Sequence, residues 1–364
     1  VYGIATGTSI GRLFLCGLVP GFMLAGMFAI WALIHSYFID KDSAKALKNR
    51  TPPTLKEKLE VLPRILPFLA IIAGHEPCGV IVEIGSNVPK NLVSIGMRVM
   101  QHHYQGCGTC SHCSTGWQQL CDSGVKAVFG VTGHGAHAKY MKCPVSTIVP
   151  LRDDISFIAG AAISCGTGTA WGALERLDLK ANQTIAIFGM GPVGLSAVML
   201  AHSMGAKIIA LDTNKQRLNR SIEFGADIII NPAESIDLLT EIKDHTKGLG
   251  VNASIDASSS PSARSHSVKC VKTWGKACFV GEGGEVTLDV SNDLLRRQVT
   301  LIGSWTFSKY GQAECADFVA EKDLDVDKLF THKWSLKQAE EAYKLFDNQS
   351  DGKGVFIPEN IIST

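Results

Sequence analysis

The sequence predicts an α/β protein in which a doubly wound parallel sheet is joined to a smaller β-rich domain and preceded by a hydrophobic helical segment. Three observations support this class. Short Val/Ile/Ala-rich runs alternate with helical stretches in the second half of the chain, a glycine-rich turn follows the run 184–188, and 36 glycines punctuate the 364 residues. Short apolar runs separated by helices are typical of strands buried in a parallel sheet.

The charge balance and the cysteines limit the classes of partner and compartment. With 35 Lys and Arg against 34 Asp and Glu, the chain lacks the basic excess that binds nucleic acid, so we expect no such partner. Four of the 11 cysteines lie within Cys107–Cys121, and such crowding favours thiolates on a metal over disulfides. We therefore expect this part of the chain in a reducing compartment, the cytoplasm.

The first part of the chain is hydrophobic. Leu13–Ile34 contains 22 residues without a formal charge, and about 20 apolar residues suffice for a membrane helix, so we predict membrane insertion of residues 13–34. A buried core helix and a signal peptide are the alternatives, but a Lys/Arg-rich start and a cleavage site are missing. The lysine-rich flank 40–60 predicts that the chain after this helix is cytoplasmic.

Residues 1–72 resemble a piece of the large permease subunit of TRAP-type (tripartite, periplasmic-binding-protein-dependent) dicarboxylate transporters. The resemblance rests on YGIATGTSIGRLFLCGLVPGFMLA, on Pro52-Pro53 and on LKEKLEVLPRILPFL. In that family the second apolar run continues into further membrane helices, whereas Ile65–Gly74 is too short to span. We assign 1–73 as a separate segment that ends just before Gly74, and we carry over no transport function.

Beyond Gly74, Val80–Gly85 alternates as a strand does, and Val93–Val99 predicts a turn into a second strand. A cluster of cysteines at metal-ligand spacing follows: Cys107, Cys110, Cys113 and Cys121. Four thiolates fill the tetrahedron that zinc prefers, so this zinc would be structural. A redox dithiol is the alternative, and four regularly placed cysteines disfavour it.

His75 and Glu76 form a candidate catalytic group with Cys165, which lies in the segment AAISCGTGT. A catalytic zinc keeps three protein ligands and one open position, and His75 and Cys165 could supply two of the ligands. Glu76 could orient the site from beside the metal or approach it transiently. Taken alone, a histidine next to a carboxylate is more often an ordinary hydrogen-bonded pair.

The strongest motif is the turn GMGPVG at 189–194, which lies between the strand 184–188 and a predicted helix over Leu195–Met204. Glycines there let the backbone approach a pyrophosphate at the helix N-terminus. The next strand, Lys207–Leu211, ends at Asp212, whose carboxylate would accept the ribose hydroxyls and repel a 2′-phosphate. This favours NAD over NADP, although Lys215 and Arg217 are nearby cations.

The rest of the chain continues the α/β alternation. The predicted strands are 227–230, 253–256, 277–280, 299–303 and 354–357, and the predicted helices are about 235–246, 263–272 and 336–346.

Residues 74–364 resemble the zinc-containing medium-chain alcohol dehydrogenases. The resemblance rests on GHEPCGVIVEIG, the four-cysteine lobe, SCGTGTAWGAL, FGMGPVGLSAVMLAHSMGA and LDTNKQRL. It implies a partial GroES-like catalytic domain with a structural zinc lobe (74–179), a Rossmann NAD-binding domain (180–315) and a return to the catalytic domain (316–364). It also implies dimers or tetramers built through the Rossmann domains.

The resemblance also implies roles for single residues. His75 and Cys165 match catalytic zinc ligands, Glu76 matches the acid beside them, and the four lobe cysteines match the structural site. The matched cofactor contacts are Thr169, Gly189, Gly191, Val193, Gly194 and Asp212. We add Arg217, as a cation near the expected ribose, to the candidate cofactor-binding residues.

The reaction implied is the oxidation of a small alcohol to an aldehyde or ketone. Zinc, as a Lewis acid, lowers the pKa of the bound alcohol, and the alkoxide passes a hydride to the nicotinamide. The family's first zinc ligand, in a Cys-Gly-x-Asp turn, and its proton relay have no counterpart here. Cys16-Gly17 lies in the hydrophobic run, and Cys78 would have to converge from a different strand. With two of three protein ligands, we expect catalytic zinc to bind weakly or with extra waters.

Two other hypotheses stay open at this point. One is a membrane-anchored fusion whose dehydrogenase part is only a cofactor-binding remnant, and the other is a recombined reading frame without a selected function. The sequence does not identify the alcohol. Trp305 and Phe307 could contact the substrate or pack in the core, and we favour packing.

Overall fold

The computed structural model describes residues 74–347 and 352–358. The predicted membrane helix 13–34 and the transporter-like segment 1–73 lie outside these residues. Within the described part, no single helix has the length and apolar composition to cross a membrane, and one bent pair, Phe157–Ile163 with Gly166–Leu177, meets both criteria. Most residues of that pair are buried against the protein's own core.

The first described domain consists of short strands. Their bounds are Cys78–Val80 (β1), Arg98–Gln101 (β2), Tyr104–Gln105 (β3), Ala127–Val128 (β4) and Ile148–Pro150 (β5). β1, β2 and β5 form an antiparallel sheet, and β3 pairs with β4. The helices of this part are Ser111–Ser114 (α1), Phe157–Ile163 (α2) and Gly166–Leu177 (α3), with 3-10 turns at Gln118–Leu120 and Val145–Thr147.

The predicted strand Val80–Gly85 is wrong in extent, because β1 ends at Val80. Ile81 still exchanges backbone hydrogen bonds with Met97 and Gly96, after which the chain turns away. Among the described residues, β1 has β2 on one side and no strand on the other. A strand that has a neighbouring strand on one side only gains little free energy by extending its pairing. Val82, which lies beyond the end of β1, is accordingly 59% exposed.

The second domain is a six-stranded parallel sheet. Its strands are Thr184–Phe188 (β6), Lys207–Leu211 (β7), Ile228–Ile230 (β8), Val251–Asp256 (β9), Val271–Phe279 (β10) and Thr300–Gly303 (β11). The helices between them are Pro192–Ser203 (α4), Lys215–Glu223 (α5), Leu238–Asp244 (α6) and Pro261–Lys269 (α7). The order β11-β10-β9-β6-β7-β8 reverses between β6 and β9, so the predicted doubly wound Rossmann sheet is confirmed.

The chain then returns toward the first domain through α8 (Lys309–Glu321), β12 (Phe330–Trp334), α9 (Ala339–Asp347) and β13 (Lys353–Phe356). β12 and β13 form a parallel pair, and α8 packs against α2, α3 and β5. One apolar core joins these parts, since residues of α2, α3, α4, α8 and the parallel sheet belong to a single buried cluster. A second cluster fills the other face of the sheet, against α6 and α7.

Candidate functional site

The four cysteines predicted as a structural zinc site lie together on the loop around α1. Their sulfur atoms are all within 4.8 Å of one another. The Sγ atoms of Cys107 and Cys113 are 3.9 Å apart, and those of Cys110 and Cys121 are 4.0 Å apart. A zinc ion with Zn–S bonds of about 2.3 Å requires tetrahedron edges of about 3.8 Å, so the four thiols fit this ion.

Backbone N–H groups point at these sulfur atoms and favour their thiolate forms. Cys110 N donates to Cys107 Sγ at 3.3 Å, and Cys107 N donates to Cys121 Sγ at 3.2 Å. Hydrogen bonds, chiefly from the Thr109 backbone, lower the pKa of Cys107 to about 5. Burial raises the pKa of Cys113 to about 12, so this thiol needs the charge of a metal to ionise.

Gly106 shows how tightly the lobe is packed. A Cβ atom at this position would lie 2.3 Å from Cys113 Sγ and 3.1 Å from Cys121 Cβ. Real carbon and sulfur atoms do not approach so closely, so only glycine fits behind the cluster.

The structure brings His75, Glu76 and Cys165 together as a second possible metal site. One donor atom from each residue lies within 4.8 Å of the other two. All three residues are partly buried. An imidazole nitrogen, a carboxylate oxygen and a thiolate are all ligands that zinc accepts, and three ligands leave a fourth position open.

Close packing of glycines fixes the backbone that carries His75. A Cβ on Gly130 would lie 2.7 Å from His75 N, and a Cβ on Gly74, whose φ is +103°, would lie 2.6 Å from the His137 ring. Gly74 O also accepts a hydrogen bond from Ala136 N at 2.9 Å. Cys165 arrives from the other side, as the residue just before α3.

Cys165 is partly buried. Burial, with the negative charge of Glu76 as the second cause, raises the pKa of Cys165 to about 12. The Thr169 side chain hydrogen-bonds the sulfur and opposes this shift. Thr169, which was predicted as a cofactor contact, therefore lies beside the possible metal ligand, one turn into α3.

Lys353 is a member of this site that the sequence did not single out. Its Nζ lies 2.5 Å from Glu76 Oε2, and both side chains are largely shielded from solvent. Lys353 Nζ also lies near Gly166, where a Cβ would be 3.9 Å from it and 3.9 Å from Val193 Cγ2. The return strand β13 thus brings a cation between the metal-ligand cluster and the predicted nucleotide turn.

Two buried histidines behind the cluster were also missed. His103 lies edge-on to His75, with ring centroids 5.3 Å apart, and its Nδ1 is 3.2 Å from Ser164 O. His102 is fully buried. Burial lowers the pKa of His102 to about 4 and that of His103 to about 3. His102 and His103 directly follow the buried strand β2 in the sequence. This position is the one sequence feature that could have indicated that the two histidines are buried.

The glycine-rich turn has the geometry expected for binding a dinucleotide. Gly189 has φ +94°, and a Cβ on Gly194 would lie 1.8 Å from Gly189 O, so both positions require glycine. A Cβ on Gly191 would meet nothing within 4 Å, which leaves open space in front of the turn and the N-terminus of α4. The groove there is lined by Met190, Gly191, Pro192, Leu195, Arg217, Leu329 and Gly352.

Asp212 lies at the end of β7, where the ribose would bind. Its Oδ2 accepts a hydrogen bond from Met190 N at 2.6 Å, so the carboxylate also fixes the glycine-rich turn. Lys215, the nearby cation that could favour a 2′-phosphate, forms an ion pair with Glu234 at 2.9 Å. Arg217 lines the groove in front of the turn.

On the sequence alone, two aromatic residues were also considered as packing residues and two further cysteines as zinc ligands. Phe307 is 1% exposed and packs in the core, as favoured, whereas Trp305 is 46% exposed and contacts Tyr104 edge-on. Cys78 faces α2, where a Cβ on Gly160 would lie 2.5 Å from its sulfur. Cys78 is not a member of the His75–Glu76–Cys165 group. Cys16 lies outside the described residues.

Comparisons with known proteins agree with this geometry. A family model described as alcohol dehydrogenase GroES-like domain matches residues 54–153, and one described as zinc-binding dehydrogenase matches residues 192–321. The first match begins ahead of the boundary predicted at Gly74. The resemblance of residues 1–72 to a TRAP permease gains no support from these comparisons.

Individual proteins and solved structures that resemble this chain are also alcohol dehydrogenases or proteins similar to them. The chain is 34% identical, over 79% of its length and 81% of the relative's, to the uncharacterized zinc-type alcohol dehydrogenase-like protein YphC of Escherichia coli K12. It is 31% identical to an alcohol dehydrogenase of Geobacillus stearothermophilus, over 71% of this chain and 74% of that one. The structure of the alcohol dehydrogenase TADH of Thermus sp. ATN1 matches with a TM-score of 0.72 and 25% identity, covering 79% and 84% of the two chains.

Proposed function

Because this chain belongs to the zinc-type alcohol dehydrogenase family of oxidoreductases, we propose that it oxidises a small alcohol with NAD at the site formed by His75, Glu76 and Cys165. The observation that carries the proposal is the convergence of three donor atoms within 4.8 Å of one another. Three protein ligands and one open position are the arrangement of a catalytic zinc site. Glu76 then takes the place of the ligand for which the sequence offers no candidate.

Each of these side chains has a definite task. His75 and Cys165 would hold the ion from opposite walls, and Glu76 would complete the set when its carboxylate leaves Lys353. A zinc ion in this place supplies a Lewis acid that acidifies a bound alcohol. The Thr169 side chain donates to the Cys165 sulfur and stabilises its charged form. The buried surroundings, including His103, exclude water from this wall of the site.

The glycine-rich turn and Asp212 would hold the cofactor. The open space in front of Gly191 and the N-terminus of α4 favour a pyrophosphate there. Asp212 would accept hydrogen bonds from the ribose hydroxyls, and its negative charge disfavours a 2′-phosphate. The ion pair between Lys215 and Glu234 neutralises a cation that could otherwise attract this phosphate. These features support NAD over NADP.

The test is a spectrophotometric assay of NAD reduction by the zinc-loaded full chain, with primary alcohols, secondary alcohols and polyols as substrates. We expect turnover that 1,10-phenanthroline abolishes and that Cys165→Ala lowers at least a hundredfold. The matched control is Cys143→Ala, at a half-buried cysteine outside both clusters. Bound NADH without turnover on any of these alcohols would overturn the proposal and leave a cofactor-binding protein.

The quaternary state is a separate part of the proposal. The edge strand β11 carries exposed Thr300 and Leu301, and its outer side has no partner strand among the described residues. We propose that two copies associate along this edge to form a homo-oligomer. Light scattering of the full chain tests this, and a monomer at micromolar concentration would contradict it.

A further inference from the structure

His75 lies in a stretch of the chain that forms no regular secondary structure. Residues 74–77 belong to no helix and no strand, and β1 begins at Cys78. The backbone directly before His75 is held by a hydrogen bond from Ala136 N to Gly74 O, at 2.9 Å. Ligands on such irregular stretches are positioned less firmly than ligands on helices or strands. The position of His75 therefore depends on the loop that contains Ala136.

His137, the next residue of that loop, packs directly against Gly74. A Cβ on Gly74 would lie 2.6 Å from His137 Cδ2 and 2.8 Å from His137 N, so the ring and the backbone of this histidine both touch the glycine. The His137 residue is half-buried. Because the contact leaves no spare room, a movement of the His137 ring would be transmitted to the residue that precedes His75.

Two aromatic residues of the returning chain hold the His137 ring in turn. Tyr343 lies in α9, and its hydroxyl oxygen is 2.6 Å from His137 Nδ1, so the two groups share a hydrogen bond. Phe356, at the end of β13, contacts the same ring edge-on, with ring centroids 4.8 Å apart. A hydrogen bond is directional, so Tyr343 fixes which ring nitrogen of His137 faces α9.

The returning chain thus reaches both neighbours of His75. Lys353, which also lies in β13, pairs with Glu76 on the C-terminal side of His75. The aromatic contacts act on Gly74, on the N-terminal side. The histidine lies between two points at which the same part of the chain is attached, and its own backbone has no helix or strand to support it.

We propose that Tyr343 is a positioning residue that holds His75 in place for metal binding, acting through His137 and Gly74. Each step of the path is a contact in the structure: a hydrogen bond from α9 to the His137 ring, the packing of that ring on Gly74, and the peptide bond from Gly74 to His75. The inference rests on the proposed role of His75 as a metal ligand.

The first test is amide hydrogen exchange in the full chain, resolved to single residues. Tyr343→Phe removes only the hydroxyl group. Ala136 N donates to Gly74 O, so its exchange rate measures the local opening of this contact. We expect exchange at Ala136 to become about fivefold faster, the factor for one neutral hydrogen bond. The matched control is Tyr140→Phe, at a tyrosine that is 65% exposed. Faster exchange confined to α9 would overturn the proposal, because Tyr343 would then stabilise only its own helix.

The second test measures the proposed metal site itself. In the zinc-loaded full chain, dipicolinate is expected to remove the more weakly held zinc about fivefold faster from Tyr343→Phe than from the original protein, and Tyr140→Phe is expected to match the original. An unchanged rate of zinc removal, together with faster exchange at Ala136, would show that the path ends before His75 and would overturn the proposal.

A double-variant cycle separates this path from a general loosening of the fold. His137→Phe keeps an aromatic ring against Gly74 and Phe356 but loses the nitrogen that Tyr343 contacts. The double variant His137→Phe/Tyr343→Phe is expected to match the more affected single variant, because both changes remove the same hydrogen bond. Effects that multiply in the double variant would contradict the proposal.

Two further results distinguish misfolding and failure of the metal site. Retained NADH binding shows that a variant is folded, since the glycine-rich turn lies in the other domain. If the original chain binds no second zinc, the proposed function fails, while the exchange rate at Ala136 still tests the path from Tyr343 to Gly74. An unchanged exchange rate at Ala136 in folded Tyr343→Phe and His137→Phe would refute the inference.

Discussion

Lys353 Nζ lies 2.5 Å from Glu76 Oε2, which joins β13 to the start of the described fold. The lysine therefore holds the carboxylate that a metal ion between His75 and Cys165 would also attract. A metal ion at this site would have to compete with a cation of the protein itself. This relationship leads to the first prediction.

Replacing Lys353 by Met is expected to strengthen zinc binding at the second site about tenfold. A positive charge beside a cation site opposes occupancy, and at an effective dielectric constant of about 20 one such charge outweighs the 1.4 kcal/mol that a tenfold change needs. The measurement is competition between the protein and a chromophoric chelator for the second zinc equivalent. Lys353→Arg, which keeps the charge, is the control. Weaker binding in the Met variant would show that Lys353 only supports the strand.

Gly106→Ala is expected to eliminate structural zinc. The new methyl group would need the space 2.3 Å from Cys113 Sγ, and a displaced thiolate cannot complete the tetrahedron. Zinc content by atomic emission should fall by about one ion per chain, with faster proteolysis within 107–121. Gly79→Ala is the matched control, because a Cβ there meets nothing within 4 Å. Full zinc content in Gly106→Ala would contradict the assignment.

Asp212→Ala is expected to weaken NADH binding about tenfold relative to NADPH binding. The variant loses the acceptor for the ribose hydroxyls and the charge that repels a 2′-phosphate. It also loses the hydrogen bond to Met190 N, so some weakening is common to both cofactors. Fluorescence titration with both reduced cofactors gives the ratio of their dissociation constants. Glu223→Ala, on the exposed end of α5, should leave the ratio unchanged.

Because His102 is buried, we expect the free energy of unfolding to fall in acid. Burial lowers its pKa from 6.5 in the unfolded chain to about 4 in the folded protein, so below pH 6.5 the unfolded state binds more protons. The contribution is complete above pH 6.5 and is lost as pH falls toward 4, by at most about 1.4 kcal/mol per pH unit. Urea unfolding at pH 7.5 and pH 5 should show a smaller loss in His102→Gln. The exposed His134→Gln should retain the original slope, and equal slopes in all three proteins would refute the prediction.

The parallel sheet was predictable because its signals are local. β6 and β7 have the predicted bounds, and β8, β9 and β11 differ from prediction by one or two residues at the start. β10 begins earlier, at Val271, because its first part pairs with β9 across an irregular stretch near Trp274. Apolar runs flanked by glycine and by helical periodicity determine these strands without long-range information.

Only the parts of the site that are encoded by a local sequence motif could be predicted from the sequence. The cysteines and the glycine-rich turn depend on spacing along the chain, and both assemble as expected. The ion pair between Glu76 and Lys353 and the ring contact between His102 and Phe307 both depend on residues far apart in sequence. The hydrophobic periodicity of a sequence does not indicate such long-range contacts. For the same reason the sequence left two roles open for Glu76, orienting the site from beside the metal or approaching it transiently.

The contact between Lys353 in β13 and Glu76 has a consequence for the order in which the site forms during synthesis. A ribosome releases His75, Glu76 and Cys165 long before Lys353 emerges, and domains fold as their residues become available. In that interval Lys353 cannot pair with Glu76, so the three donors would bind a divalent ion without this competitor. Docking of β13 would then add the competitor to a site that has been open to ions until that point. The strand β13 would thus weaken the hold on an ion acquired early.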